Sequence, residues 1–153
     1  MTGVQTCALP ISVSRSYFVA KRVVTAQHRQ GRLTEESIAG YAMAHKLEEV
    51  TIGLSLLCAL PVDVIERALL DRNRQTPLML AKALGFSWNT TMSLLFLGAK
   101  DHRITARDFS DLEREFNRLN VESSRSVLEF YRSRKNTGLA DYASPRDVRT
   151  VVN

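Results

Sequence analysis

Apolar residues recur at helical spacing along most of this chain, and no stretch alternates apolar and polar residues with a period of two. Strands with one solvated face need that alternation, so the pattern predicts an all-α protein with no sheet. Glycine, proline and capping residues punctuate it into short helices. Residues 14–30 read as one helix, stopped by Gly31. Thr34 caps a second, whose first turn carries Glu35 and Glu36, where carboxylates favour the helix dipole. Ile38, Tyr41 and Ala42 form its apolar stripe. A third helix covers residues 47–60, with Leu47, Val50, Leu54 and Leu57 on one stripe, and ends before Pro61.

The next helix takes residues 64–71, with Asp63 at its start. Thr76-Pro77 opens another, because proline suits a first turn whose amides have no helical partner. Gly85 closes it as a left-handed cap. Ser87 caps residues 88–97, and Thr105 with Asp108 forms a capping box. Phe109, Leu112, Phe116 and Leu119 follow at helical spacing. Asn120 breaks this helix from residues 121–135, whose stripe includes Ser124, Leu128 and Tyr131. The expected core contains Leu54, Leu57, Leu60, Leu80, Leu84, Trp88, Leu95, Phe109, Leu112 and Phe116.

Residues 54–70 and 78–94 align without gaps, with identities at Leu54/Leu78, Leu56/Leu80, Ala59/Ala83, Leu60/Leu84 and Leu70/Leu94. Each unit reads helix, turn, helix. Such hairpins stack because each needs a neighbour to bury its apolar face, so the expected architecture is α-solenoid-like, in the manner of HEAT repeats. The longest largely apolar stretch, residues 50–62, is thirteen residues long. A bilayer span takes about twenty. It is therefore a core helix, and no membrane partner is expected.

Domain boundaries follow from the ends. Residues 1–11, MTGVQTCALPI, carry no charge, no periodicity and no basic signal-peptide start. They resemble the translation of a sequencing adapter. On that reading the natural sequence begins near Ser12, belongs to a longer protein, and gives no information about targeting. Residues 12–135 form a single helical domain, and 136–153, with Gly138, Pro145 and little periodicity, a flexible tail.

GRLTEESI (31–38), ALPVDVIERALLDR (59–72), LAKALGFSW (80–88) and LNVESSRSVLEFYRSR (119–134) occur in an order and spacing that resemble the C-terminal half of DUF2336, an alphaproteobacterial family of unknown function. The resemblance runs from Lys21 to about Arg134. It implies an all-helical, repeat-like fold and a further N-terminal region in other members. It supplies no activity and no catalytic residues.

The residues themselves supply none either. His28, His45 and His102 are isolated, without the spacing of a zinc site. Serines and threonines at 34, 76, 87 and 105 are accounted for by helix starts. No glycine-rich phosphate loop is present. Cys7 and Cys58 form no disulfide framework, and Cys58 sits in an apolar run as a buried thiol. A reducing, cytoplasmic location follows. The expectation is a non-enzymatic scaffold or regulatory domain that binds another protein and needs no cofactor.

The alternative is a DNA-binding regulator. Residues 80–95, LAKALGFSWNTTMSLL, have the form of a helix-turn-helix, and a net charge of +5 suits nucleic acid. Its contacts would come from Asn89, Thr90, Lys82 and Lys100. Residues 87–97, however, contain no lysine or arginine and end almost wholly apolar. Charge is also segregated. Residues 12–33 carry a net +5 and residues 34–71 a net −5. The basic set Arg15, Lys21, Arg22, Arg29 and Arg32 is therefore a second candidate surface, for an acidic partner.

Overall fold

In the computed structural model, residues 15–99 and 103–136 are described; for 135 and 136 this extends to the backbone only. Among them are eight helices and no strand: α1 (Arg15–Arg29), α2 (Glu35–Met43), α3 (Leu47–Cys58), α4 (Val62–Leu70), α5 (Gln75–Ala83), α6 (Trp88–Gly98), α7 (Ala106–Arg118) and α8 (Val121–Asn136). Residues 1–14, which include Cys7 and the segment expected to be adapter translation, lie outside the described residues, as do Lys100, His102 and all but the start of the expected tail.

Helix boundaries follow the local chemistry. Gly31 and Gly85 take the left-handed conformation that ends α1 and α5, with φ of 69° and 76°. The Thr105 hydroxyl accepts from the Asp108 amide while the Asp108 carboxylate accepts from the Thr105 amide, closing the expected capping box. The Thr34 amide donates to the Ser37 hydroxyl, a device that neither glutamate of that first turn supplies.

The two hairpins are α3–α4 and α5–α6, but their turns are not equivalent. In the first, Ala59 itself is left-handed, with φ 55°, and the Leu60 amide donates to the Ser55 carbonyl. In the second, the left-handed residue is Gly85, two places later in the alignment. Leucine matches drove the alignment, whereas turn geometry follows from where each helix stops.

α3 sits at the centre of the first half. Val50, Thr51, Ile52, Gly53 and Leu54 are buried in succession, and the helix is packed by α1, α2 and α4. A Cβ on Gly53 would lie 2.5 Å from Ile38 Cδ1, 3.6 Å from Leu33 Cδ1 and 3.7 Å from Val24 Cγ1, so the missing side chain lets α1 and α2 close on α3. A second close approach joins the hairpins. A Cβ on Gly98 would meet the Leu69 carbonyl oxygen at 2.0 Å, so the end of α6 lies against the backbone of α4.

α8 packs on α5, and two of its arginines, one heptad apart, reach helix ends. Arg125 Nε donates to the Ala83 carbonyl at 3.1 Å and Arg132 Nε to the Cys58 carbonyl. Ala83 and Cys58 are the last residues of α5 and α3. A cation there satisfies a carbonyl without a helical partner and opposes the negative end of the helix dipole.

Five of the ten expected core residues are buried: Leu54, Leu60, Leu80, Leu95 and Phe116. Leu57, Leu84, Trp88 and Leu112 are half-buried against that core, and Phe109 is half-buried with its ring 4.7 Å from Phe96. Those five lie nearer the surface than expected because periodicity identifies the inward stripe but not where it meets the edge of the packed layer. Fully enclosed positions outside that set of ten include Ile38, which the stripe of α2 already placed inward, and Ile65, Leu78 and Leu94.

Leu54→Ala should therefore cost about 2–5 kcal/mol, with Leu57→Ala near or below the lower end, in urea unfolding. Gly98→Ala should destabilise by about 1–3 kcal/mol or more, because the new methyl opposes backbone and no side chain can yield. Gly53→Ala should cost less, since only the tip of Ile38 has to move. A near-neutral Gly98→Ala in the same measurement would contradict the close approach of α6 to α4.

Candidate functional site

The helix-turn-helix resemblance can be tested against the packing of α6. Ser87 is its N-cap residue, and its hydroxyl accepts from the Thr90 amide at 3.4 Å. Glu35, the first residue of α2, inserts its carboxylate at the same point. Glu35 Oε1 accepts hydrogen bonds from the Ser87 amide, the Ser87 hydroxyl and the Thr90 hydroxyl, each at 2.7 Å. One carboxylate thus lies at the positive ends of both α2 and α6, which favours negative charge there. Thr91 turns its hydroxyl back to the Ser87 carbonyl at 2.8 Å.

Thr90, a sequence candidate for nucleic-acid contact, is therefore corrected to a buried residue held by Glu35. Asn89 is exposed. Lys82 is partly buried, with its ammonium 4.4 Å from the centre of the Phe116 ring on α7. Of the four candidates only Asn89 combines exposure with a place in the first turn of α6, and a phosphate approaching that turn would meet Glu35. The sequence signal for this lock was Glu35 in a helix first turn. Nothing in the sequence linked it to Ser87, fifty-two residues away.

The second candidate surface has a different geometry. Arg15, Lys21, Arg22, Arg29 and Arg32 are all exposed. Tyr17, Ala20 and Val24 face inward from α1, and Lys21 lies 5.8 Å from the Tyr17 ring centre. The helix also exposes Phe18, Val19 and Val23.

Between α4, α5 and the end of α8 lies an open groove of about 500 Å³. Leu60, Pro61, Val64, Ala68, Met79, Leu80 and Tyr131 form its apolar part, and Asp63, Arg67, Asp71 and Arg134 add charge. Asp63 and Arg67 pair at 2.8 Å while both remain exposed. Tyr131 continues the stripe of Ser124 and Leu128 in the sequence, but nearly half its surface is open. The groove exists because α8 is drawn across two helix ends by Arg125 and Arg132, a long-range arrangement with no local signature.

Cys58 is buried, and desolvation pushes its thiol up to about 11 despite the nearby Arg132 charge. At neutral pH it is a protonated packing group. Among the described residues no group of three or more His, Cys, Asp or Glu side chains is arranged to hold a metal ion, and no helix is long and apolar enough to cross a membrane.

Residues 3–129 match the model of the family described as an uncharacterised protein conserved in bacteria (DUF2336). The match overlaps the segment read as adapter translation. No curated protein and no solved structure is significantly similar to the chain.

The Glu35 lock has a defined pH dependence. Desolvation raises the Glu35 pKa, but the Thr90 and Ser87 hydrogen bonds outweigh it and hold the carboxyl below its ordinary value of 4.5. A group depressed in the folded state stabilises above its unfolded pKa and loses that contribution as pH falls through the folded one. Glu35→Ala should cost about 1–3 kcal/mol at pH 7, and Glu35→Gln less, because its amide oxygen still accepts. The difference between wild type and Glu35→Ala should narrow in urea melts as the pH is lowered past the ordinary value of 4.5 and through the depressed folded one. A constant difference across that range would show that the carboxylate charge is not what holds α2 to α6.

Proposed function

The chain belongs to the DUF2336 family, and for this member we propose a non-enzymatic helical scaffold or regulatory domain that binds another protein, in a reducing compartment such as the cytoplasm. The observation that carries this reading is the groove between α4, α5 and α8. An apolar floor bordered by a few charged groups is what an amphipathic helix requires: its hydrophobic stripe fills the floor and its polar edges meet the rim. A groove built from three helices is also held open by the fold, so binding needs little ordering of the receptor.

The DNA-binding alternative has less support. The first turn of α6 carries a buried Thr90 and a capping carboxylate where a recognition helix would present base-reading side chains. No lysine or arginine lies within α6 to neutralise phosphate.

The two readings separate experimentally. Val64→Glu and Ala68→Glu, each placing a charge in the groove, should abolish capture of a specific protein partner from a bacterial lysate while leaving the helical circular dichroism unchanged. Mixed duplex DNA, titrated by fluorescence anisotropy across a salt series, should bind weakly and dissociate by about physiological salt, because scattered bases release few counterions. Sequence-selective DNA binding that survives that salt and is lost in Asn89→Ala would reverse the ranking.

A further inference from the structure

Residues 137–153 continue directly from α8 and lie outside the described residues, but the fold fixes where they begin. α8 ends at Asn136, and Tyr131 and Arg134, five and two residues before that end, both line the groove beside α4 and α5. With a rise of 1.5 Å per residue, the chain leaves α8 within about 8 Å of Tyr131 along the helix axis. The seventeen residues that follow therefore start at the lip of an open groove whose floor includes Leu60, Val64, Ala68 and Met79.

Their sequence carries one helix start. Ser144-Pro145-Arg146-Asp147 sets a capping serine before a proline in the first helical position, with a carboxylate three residues after the serine. On a helix begun there, Pro145, Val148, Val151 and Val152 share a face about 120° wide, with Asp147 at one edge and Arg149 at the other. Residues 145–152 make about 12 Å of helix, close to the length of the nine-residue α4. So short a helix is not stable alone in water and forms where something covers its apolar face. The groove offers an apolar floor, and its rim carries both signs of charge, Asp63 and Asp71 with Arg67 and Arg134. The linker, residues 137–144, includes Gly138, and a flexible chain of that length has an end-to-end distance of about 15 Å. It reaches the groove without stretching and holds the segment there at an effective concentration on the order of millimolar.

We propose that residues 145–152 dock as a two-turn helix in the groove of the same molecule, with Val148, Val151 and Val152 toward Val64, Ala68 and Met79. Connectivity selects this occupant, because the segment is tethered at the groove's lip and an untethered one has to compete with its effective concentration. The tail then fills the site that an outside helix would take, and a partner enters by displacing it. The docking rests on the reading of the groove as a helix receptor; only the displacement needs an outside partner.

The test uses the full chain and reads each side of the contact from the other. Val64→Glu and Ala68→Glu alter the groove and leave the tail's sequence intact. Each should raise the rate at which trypsin cuts after Arg149 by about tenfold or more, because cutting follows the undocked population. Helical circular dichroism and cutting after Arg103, in the segment before α7, should stay as in wild type. Val148→Asp/Val152→Asp alters the tail, and should move the methyl NMR signal of Met79 in the groove while that of Met92 on α6 stays in place. Both readouts should be independent of protein concentration. Unchanged cutting at Arg149 or an unmoved Met79 signal would overturn the proposal. So would protection that appears only as concentration rises, which would put the tail in a second copy's groove. Partner capture is scored separately. Capture lost in Ala68→Glu with Arg149 cut at the wild-type rate sinks the tail's docking and keeps the groove as a receptor. Faster cutting in a chain that captures no protein supports the docking and sinks the outside partner.

Discussion

Burial of five successive residues in the middle of α3 is the constraint from which the rest of the packing follows. A helix turns by 100° per residue, so Val50 to Leu54 point to every side, and apolar groups must enclose them all. No single neighbour can do that. α1 covers one side, α2 another and α4 a third. Gly53 lets two of these approach at once, because its absent side chain leaves room for Ile38, Leu33 and Val24. The polar member of the run, Thr51, is accommodated by donating to the Leu47 carbonyl at 2.7 Å.

Polar groups then fix the relation between distant elements. Glu35 ties the start of α2 to the start of α6, while Arg125 and Arg132 tie α8 to the ends of α5 and α3. In each case a charged side chain meets helix-terminal groups of opposite partial charge. Apolar contacts supply most of the cohesion but tolerate sliding; these directional contacts select one arrangement. Among the described residues no buried side-chain polar atom lacks a partner, so this specificity is reached without a desolvation penalty left uncompensated.

The same contacts separate closed surfaces from open ones. At the start of α6 the anchoring carboxylate fills the place where a nucleic-acid ligand would approach, and the first turn becomes part of the fold. At α8 the anchoring arginines leave Val127, Phe130 and Tyr131 outward and border a groove with the end of the helix. Open apolar surface thus lies on the groove and on the outer sides of α1 and α8, where no described element covers it.

Helix number and boundaries were legible in the sequence because they depend on local rules: Gly31, Gly85, Ser87 and the Thr105/Asp108 pair act within one turn of where they stand. The all-α class was legible for the same reason, since period 3.6 is a property of neighbouring residues. The basic face of α1 could be seen as well, because a helix with five nearby bases and no acid has few ways to hide them. What only the tertiary structure decided was which helix lies beside which. Leu57 and Leu84 occupy inward stripes, yet lie at the margin because their neighbours end there. Thr90 is buried because Glu35 reaches it from fifty-five residues away. The groove follows from α8 crossing the ends of α3 and α5. Such contacts depend on directions in space between elements far apart in sequence, and helical periodicity carries no record of those directions.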